Sequence, residues 1–266
     1  MIRTLRRAAA LSLCLIAGPV FAASGQWEDM MQGALALKSA SDEPDRITLG
    51  FGLGYVPDYV GSDEYQLYPL PLIDVEYRDT LFVSTARGLG YNFVKRKDLK
   101  MGVRATIDYG RDAQENQRTK TLADVDVTYE LGVFSEYYYR TWRSKFDFRK
   151  GVNGHEGLIG SFDLARGGRI SENTSLVLGG RLRMADEAYM NAYYGVPKNN
   201  LALRRYEPSG GFHDVSFYAD YIYEFTTKLY MSFDIRITKL MSDPAGSPAT
   251  QQDTQLFLGT VLAYRF

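Results

Sequence analysis

From Arg46 to the last residue, large apolar side chains alternate with small or charged ones at a period of two. That spacing belongs to strands whose two faces meet different surroundings. Ile47-Thr-Leu-Gly-Phe-Gly-Leu-Gly-Tyr55 places a large apolar residue at every odd position, with Gly50, Gly52 and Gly54 on the opposite side. Leu99, Met101, Val103, Ala105, Ile107 and Tyr109 alternate with Lys100, Gly102, Arg104, Thr106, Asp108 and Gly110. The same division recurs in Tyr65–Tyr77, Val125–Val133, Leu176–Met184, Val215–Phe225, Leu229–Thr238 and Thr254–Phe266. Pro69 and Pro71 cannot donate ladder hydrogen bonds and should weaken or kink the upper part of their strand.

Alternation alone also fits a soluble sandwich, whose strands usually run about 5–6 residues. Crossing a bilayer on a tilt takes about 9–11 residues, and most segments here reach that length. A Lys or Arg on a lipid face costs roughly 2–4 kcal/mol at the midplane. The apolar faces of the clearest strands carry no charge. The pattern therefore predicts an all-β fold, a transmembrane antiparallel up-and-down β-barrel spanning 46–266.

Turn chemistry sets the count. Short links fall at Arg78–Thr80, Lys95–Asp98, Arg140–Arg143, Ser171–Thr174 and Thr226–Lys228. Long links fall at Val56–Glu64, Arg111–Leu122, Gly151–Glu156, Ala185–Gly211 and Met241–Asp253. Short periplasmic turns alternating with long outer loops need a break between Thr80 and Lys95, placed at Arg87-Gly-Leu-Gly90. The count is then about 12 strands with both ends periplasmic, 10 or 14 being the alternatives. The predicted lumen face mixes Lys100, Arg104, Arg181, Arg183 and Arg236 with Asp74, Glu76, Asp108, Asp126, Glu130, Asp214, Asp220 and Asp234. Mixed signs favour internal salt bridges that close the lumen over the single-sign ring of a selective pore.

The first 22 residues read as a signal peptide. Arg3, Arg6 and Arg7 precede a short apolar run, and Val20-Phe-Ala22 supplies small residues for cleavage between Ala22 and Ala23. The one cysteine, Cys14, leaves with this segment, so the exported chain has no disulfide framework to build. Residues 23–45 read as an N-terminal periplasmic arm with a short helix around Trp27–Leu37. The formal net charge of −1, made more negative by loss of the leader, argues against nucleic acid as a partner. A mean hydropathy of −0.26 does not bear on a barrel, whose strands are apolar on one face only. The 20 Tyr and 14 Phe suit an interface between water and lipid.

Chemistry is sparsely provided. Beyond the leader the histidines are His155 and His213. His213 and Asp214 are neighbours that a regular strand points to opposite faces, so they pair only if Gly210-Gly211 introduces a bulge. His155, between Gly154 and Gly157, reads as an exposed loop residue. Two histidines without cysteine make a transition-metal site unexpected. No acidic segment has EF-hand ligand order, and Gly88-Leu-Gly90 lacks the strand–helix context of a phosphate loop. The expectation is no catalytic residue, no cofactor and no metal.

Several stretches together resemble the MipA/OmpV family, the MltA-interacting protein family. They are Gly52-Leu-Gly-Tyr-Val-Pro-Asp-Tyr-Val-Gly-Ser-Asp-Glu-Tyr65, Pro69-Leu-Pro-Leu72 and Arg87-Gly-Leu-Gly-Tyr-Asn92, then Tyr193-Tyr-Gly-Val196, Tyr206 with Gly210-Gly211, Leu240, Ser247-Pro248 and Tyr264-Arg-Phe266. The resemblance implies a protein of the Gram-negative cell outer membrane that scaffolds murein enzymes, bringing a lytic transglycosylase together with a peptidoglycan synthase. Other members are described as antigens, adhesins or stress-responsive proteins, and no catalytic residues carry over. The chain end, with Leu262, Tyr264 and Phe266 on one face, resembles the signature read by the barrel-assembly machinery. A small-solute channel and a surface adhesin barrel stand as the alternatives to the scaffold.

Overall fold

A computed structural model describes residues 45–266. The leader, its Ala22–Ala23 cleavage point and the arm up to residue 44 lie outside the described residues. Twelve antiparallel strands close into a single barrel in which each strand pairs with its sequence neighbours and β1 pairs with β12. The strands are β1 (Arg46–Pro57), β2 (Tyr65–Tyr77), β3 (Leu81–Ser84), β4 (Gly88–Lys95), β5 (Leu99–Asp108) and β6 (Thr128–Tyr139). They continue as β7 (Trp142–Val152), β8 (Leu158–Arg169), β9 (Thr174–Ala185), β10 (Gly211–Glu224), β11 (Leu229–Leu240) and β12 (Thr254–Arg265). Closure removes the open edge that a sheet would otherwise present. Among the described residues, no helix is long and apolar enough to cross a membrane.

The alternation maps directly onto the wall. Phe51, Leu53, Val103, Val133, Phe148, Leu178, Phe217, Ile235 and Leu262 point outward and are exposed, whereas their sequence neighbours are buried or half-buried. An exposed apolar band around a closed sheet is the surface a bilayer requires. Short connections at 78–80, 96–98, 140–141, 170–173 and 225–228 gather at one end together with the start of β1 and Phe266. The opposite end carries the loops 58–64, 109–127, 186–210 and 241–253.

Three details differ from the sequence expectation. The extra hairpin turns at 85–87, and Gly88-Leu-Gly90 lies within β4, because β3 and β4 pair from Leu81↔Tyr91 up to Ser84↔Gly88. Strand β6 starts at Thr128, not Val125, which forms an isolated bridge to Arg111. Strand β2 runs unbroken through Pro69 and Pro71, which face Leu53 and Phe51 of β1. Only its lower part, Asp74–Tyr77, is flanked by the short β3. The prolines thus occupy the stretch where one side of the strand has no ladder to complete.

The long loops interlock over the barrel's mouth. Helix α1 (Glu187–Tyr194) begins at Asp186, whose side chain caps the Tyr189 N–H, and a short helix α2 follows β11 at Ser242–Gly246. Tyr189, Met190 and Tyr194 bury against Ile159, Ala185 and Leu240. No basic residue stands in the last turn of α1. Buried Arg111 supplies that positive charge from another loop, donating to the Tyr193 carbonyl at 2.6 Å, where a helix terminus is negative.

Candidate functional site

The interior of the barrel is where a transport path would run, and the inward stripe of each strand fills it. Arg104 of β5 meets Asp147 of β7 at 2.7 Å. Arg149 bridges Asp147 at 3.0 Å and Glu130 at 2.8 Å. Glu130 also accepts from the Thr106 hydroxyl at 2.8 Å. Lower down, Glu76 gathers three cations, Lys100 at 3.0 Å, Arg87 at 3.4 Å and Arg46, and Arg87 also holds Asp74 at 2.8 Å. On the opposite wall Asp163 accepts from Arg143 at 2.7 Å and from the Tyr218 hydroxyl. Arg183 meets Asp214 at 2.5 Å. Asp220 and Asp234 face each other as register partners, beside Tyr218, Arg236 and Phe257 around a cavity of only about 10 Å³.

Burial decides what this network does. Asp74 is 0%, Asp147 1%, Arg104 4% and Asp234 8% exposed. Side chains lining a water-filled channel are wetted, and these are not. The β1–β2–β12 side is packed with Val56, Leu70, Leu72, Phe257, Val261 and Ala263. Charges taken out of water persist only when paired and hydrogen-bonded. Apart from the facing carboxylates Asp220 and Asp234, their matched signs convert what would be a polar lumen into a packed interior.

Of the lumen charges expected from sequence, all but one face inward and are buried. The exception is Asp126, which lies exposed in the connection before β6, because that strand begins three residues later than the alternation suggested. Arg143, Lys145, Asp147, Arg149 and Asp163 were missed. The alternation of Arg143, Lys145, Asp147 and Arg149 with Ser144, Phe146 and Phe148 carries the signal that would have found them.

Both histidines lie beneath the loops, and both correct the sequence reading. His155 is 3% exposed, not a solvated loop residue. Asn153 and Gly154 adopt left-handed backbone, φ 65° and 59°, which folds the short loop back into the mouth. His155 then packs against Tyr189 with ring centroids 4.9 Å apart. Strand β10 contains a bulge, placed at His213 and not at Gly210-Gly211 where the sequence reading put its condition: the register shifts between Phe212 and Asp214. The extra residue turns His213 inward. Its Nδ1 lies 2.5 Å from Asp214 Oδ2 and its Nε2 3.0 Å from the Tyr194 hydroxyl.

His155 Nε2 faces Glu130 at 3.5 Å and Asp108 at 3.9 Å, and one ligand atom from each of the three falls within 4.8 Å of the others. The grouping resembles a metal site in residue type only. His155 Nδ1 accepts the Gly157 N–H at 3.0 Å, so in the neutral ring Nε2 carries the proton and has no lone pair to offer. A ligating imidazole donates its other N–H to an acceptor, and here the other nitrogen meets a donor. The site is an N–H aimed at two carboxylates. Burial pushes the Tyr193 hydroxyl above it well up from its ordinary range, and lowers the guanidinium pKa of Arg111.

The chain-end residues Leu262 and Tyr264 occupy the outward face of β12 at the closing seam, with exposed Phe266 just past its end, and the Tyr264 and Phe266 rings meet edge to face at 4.8 Å.

No curated protein sequence matches the chain. Among solved structures, an outer membrane channel from Pseudomonas putida F1 is similar, with a TM-score of 0.50 at 12% identity, over 86% of this chain and 97% of that one. At that identity the likeness concerns the fold, an outer-membrane barrel. The KdgM porin aligns over 82% of this chain and 99% of its own at 6% identity and a TM-score of 0.46. OmpT of Vibrio cholerae aligns over 86% and 100% at 10% identity and 0.42. The barrel matches bacterial outer-membrane proteins, and the outer membrane is its location. Residues 49–266 match the family model described as MltA-interacting protein MipA, and the chain belongs to that family.

Proposed function

We propose that this outer-membrane barrel is a non-enzymatic scaffold that tethers murein enzymes, a lytic transglycosylase and a peptidoglycan synthase, to the membrane. The observation that carries this reading is the filled interior: a barrel whose inward charges are buried and for the most part paired with opposite ones offers no route for solute. What remains to such a protein is its surface. The family's name supports a protein partner, and peptidoglycan enzymes work on the periplasmic side. The partner-facing surface is then the short-turn end, at 78–80, 96–98, 140–141, 170–173 and 225–228, with the arm 23–45. Cleavage between Ala22 and Ala23 delivers the chain to the periplasm of a Gram-negative cell. The barrel-assembly machinery then engages Leu262, Tyr264 and Phe266.

Two measurements test the reading together. Pull-down from envelope extracts in mild detergent is expected to recover a murein hydrolase or synthase, and planar bilayers holding the purified barrel are expected to stay electrically silent. Steady channels with no murein enzyme recovered would replace the scaffold by a transporter.

A further inference from the structure

The outward stripes of β6, β7, β8 and β9 carry no acid, and at the short-turn rim the stripe of β8 runs Phe162, Leu164 and then Arg166. Arg166 is the register partner of Trp142, and its guanidinium carbon lies 5.8 Å from the Trp142 ring centroid. Trp142 pairs in turn with Tyr139 across the β6–β7 turn. Arg140, held left-handed in that turn at φ 54°, sets its guanidinium 5.4 Å from the Tyr139 ring. Two cations and two rings therefore form one exposed row across three strands. Neighbouring cations at this rim are committed elsewhere, Arg96 to Asp98 and both Arg169 and Arg265 to Glu224. Arg140 and Arg166 form no ion pair among the described residues.

We propose that this row binds the headgroup phosphate of an anionic phospholipid in the leaflet at the short-turn end. The guanidinium fork matches phosphate oxygens and is weakly hydrated. Trp and Tyr prefer the depth where headgroup meets acyl chain. Arg78 over Tyr77 and Lys228 over Tyr264 repeat the seating elsewhere on the rim and mark the same depth. From β6 to β8 is about 10 Å, two strand spacings, the width of one headgroup. Four residues down β8 toward the membrane interior, the Phe162 ring tilts against Phe146 at 4.7 Å and meets the acyl chains. A cation on an otherwise apolar stripe, with no acid beside it, is compensated by that phosphate.

Trp142 is a built-in reporter once Trp27 is changed to Phe. Mature Trp27→Phe barrel in neutral detergent is titrated with phosphatidylglycerol, phosphatidylcholine or free glycerol phosphate, following Trp142 emission, and lipid retention is counted by native mass spectrometry. Phosphatidylglycerol is expected to saturate the signal and to be retained, with little response to the other two. Removing both cations in R140Q/R166Q should weaken binding about thirtyfold. R140K/R166K, which keeps charge but loses the fork, should fall between, and serves if the glutamine pair fails to fold by heat-shifted gel mobility. Equal retention of the two lipids, a response to glycerol phosphate alone, or binding unchanged in every folded variant would overturn the site.

Discussion

At the scale of single residues, the interior is held by acids that serve several cations at once. Glu76, buried with Arg46, Arg87 and Lys100 around it, is the clearest. Glu76→Ala leaves buried Lys100 and half-buried Arg46 and Arg87 with less counter-charge, so it should cost about 3–5 kcal/mol. Lys100→Met should cost less, because Glu76 keeps both guanidinium partners. Urea unfolding in lipid vesicles, followed by fluorescence, measures the difference, and equal costs would show that Glu76 is not the hub. The tyrosines beneath the loops give a second observable. Burial raises Tyr59, Tyr189, Tyr193 and Tyr194 above the ordinary tyrosine value. An unfolded tyrosine ionises near 10, so the folded state binds protons that the unfolded chain has released. This contribution to stability is complete below about pH 10 and is lost as pH rises beyond it. Alkaline titration at 295 nm should show a group of tyrosines that ionise only with unfolding.

Among the elements, the β1–β12 seam decides whether the sheet becomes a barrel. A Cβ at Gly52 would stand 1.8 Å from the Thr260 carbonyl oxygen, so Gly52→Val should keep β12 from seating against β1. A large fall in the folded, heat-modifiable fraction is the expected reading, and near-normal closure would mean the seam can shift. Strand identity was legible here because each wall strand separates lipid from packed interior, and a period of two reports that separation whatever the exact depth. Strand β2 followed from the same pattern, and the twelve-strand count from the alternation of short and long links between strands. What stayed hidden depended on tertiary context. The start of β6 was blurred because Val125, inside the alternating run, pairs instead with Arg111 in the loop. His155 sits between glycines, which read as exposure, yet left-handed backbone at Asn153 and Gly154 carries it inward. The His213–Asp214 pair turned on a bulge that sequence could name as a condition but not assert.

For the molecule as a whole, two layers stand between the outer medium and the periplasm, the interlocked loops and the charge-packed wall beneath them. They make separable predictions, because the loops are tied to one another while the wall network links strand to strand. Tyr206 donates to the Asp243 carbonyl and Ser247 to that of Tyr194, contacts that vanish if the loop is removed. Arg104, Asp147, Arg149 and Glu130 would keep theirs. Replacing residues 187–209 by a short Gly-Ser linker should therefore expose His213 to solvent while planar bilayers stay silent. Adding Arg104→Ala, Asp147→Ala and Arg149→Ala thins one full layer of the interior, and brief conductance events should then appear. Channels from the loop deletion alone would place the closure in the loops and make the barrel a gated pore. Silence until the wall is thinned would place it in the strands, where no ligand at the mouth can lift it.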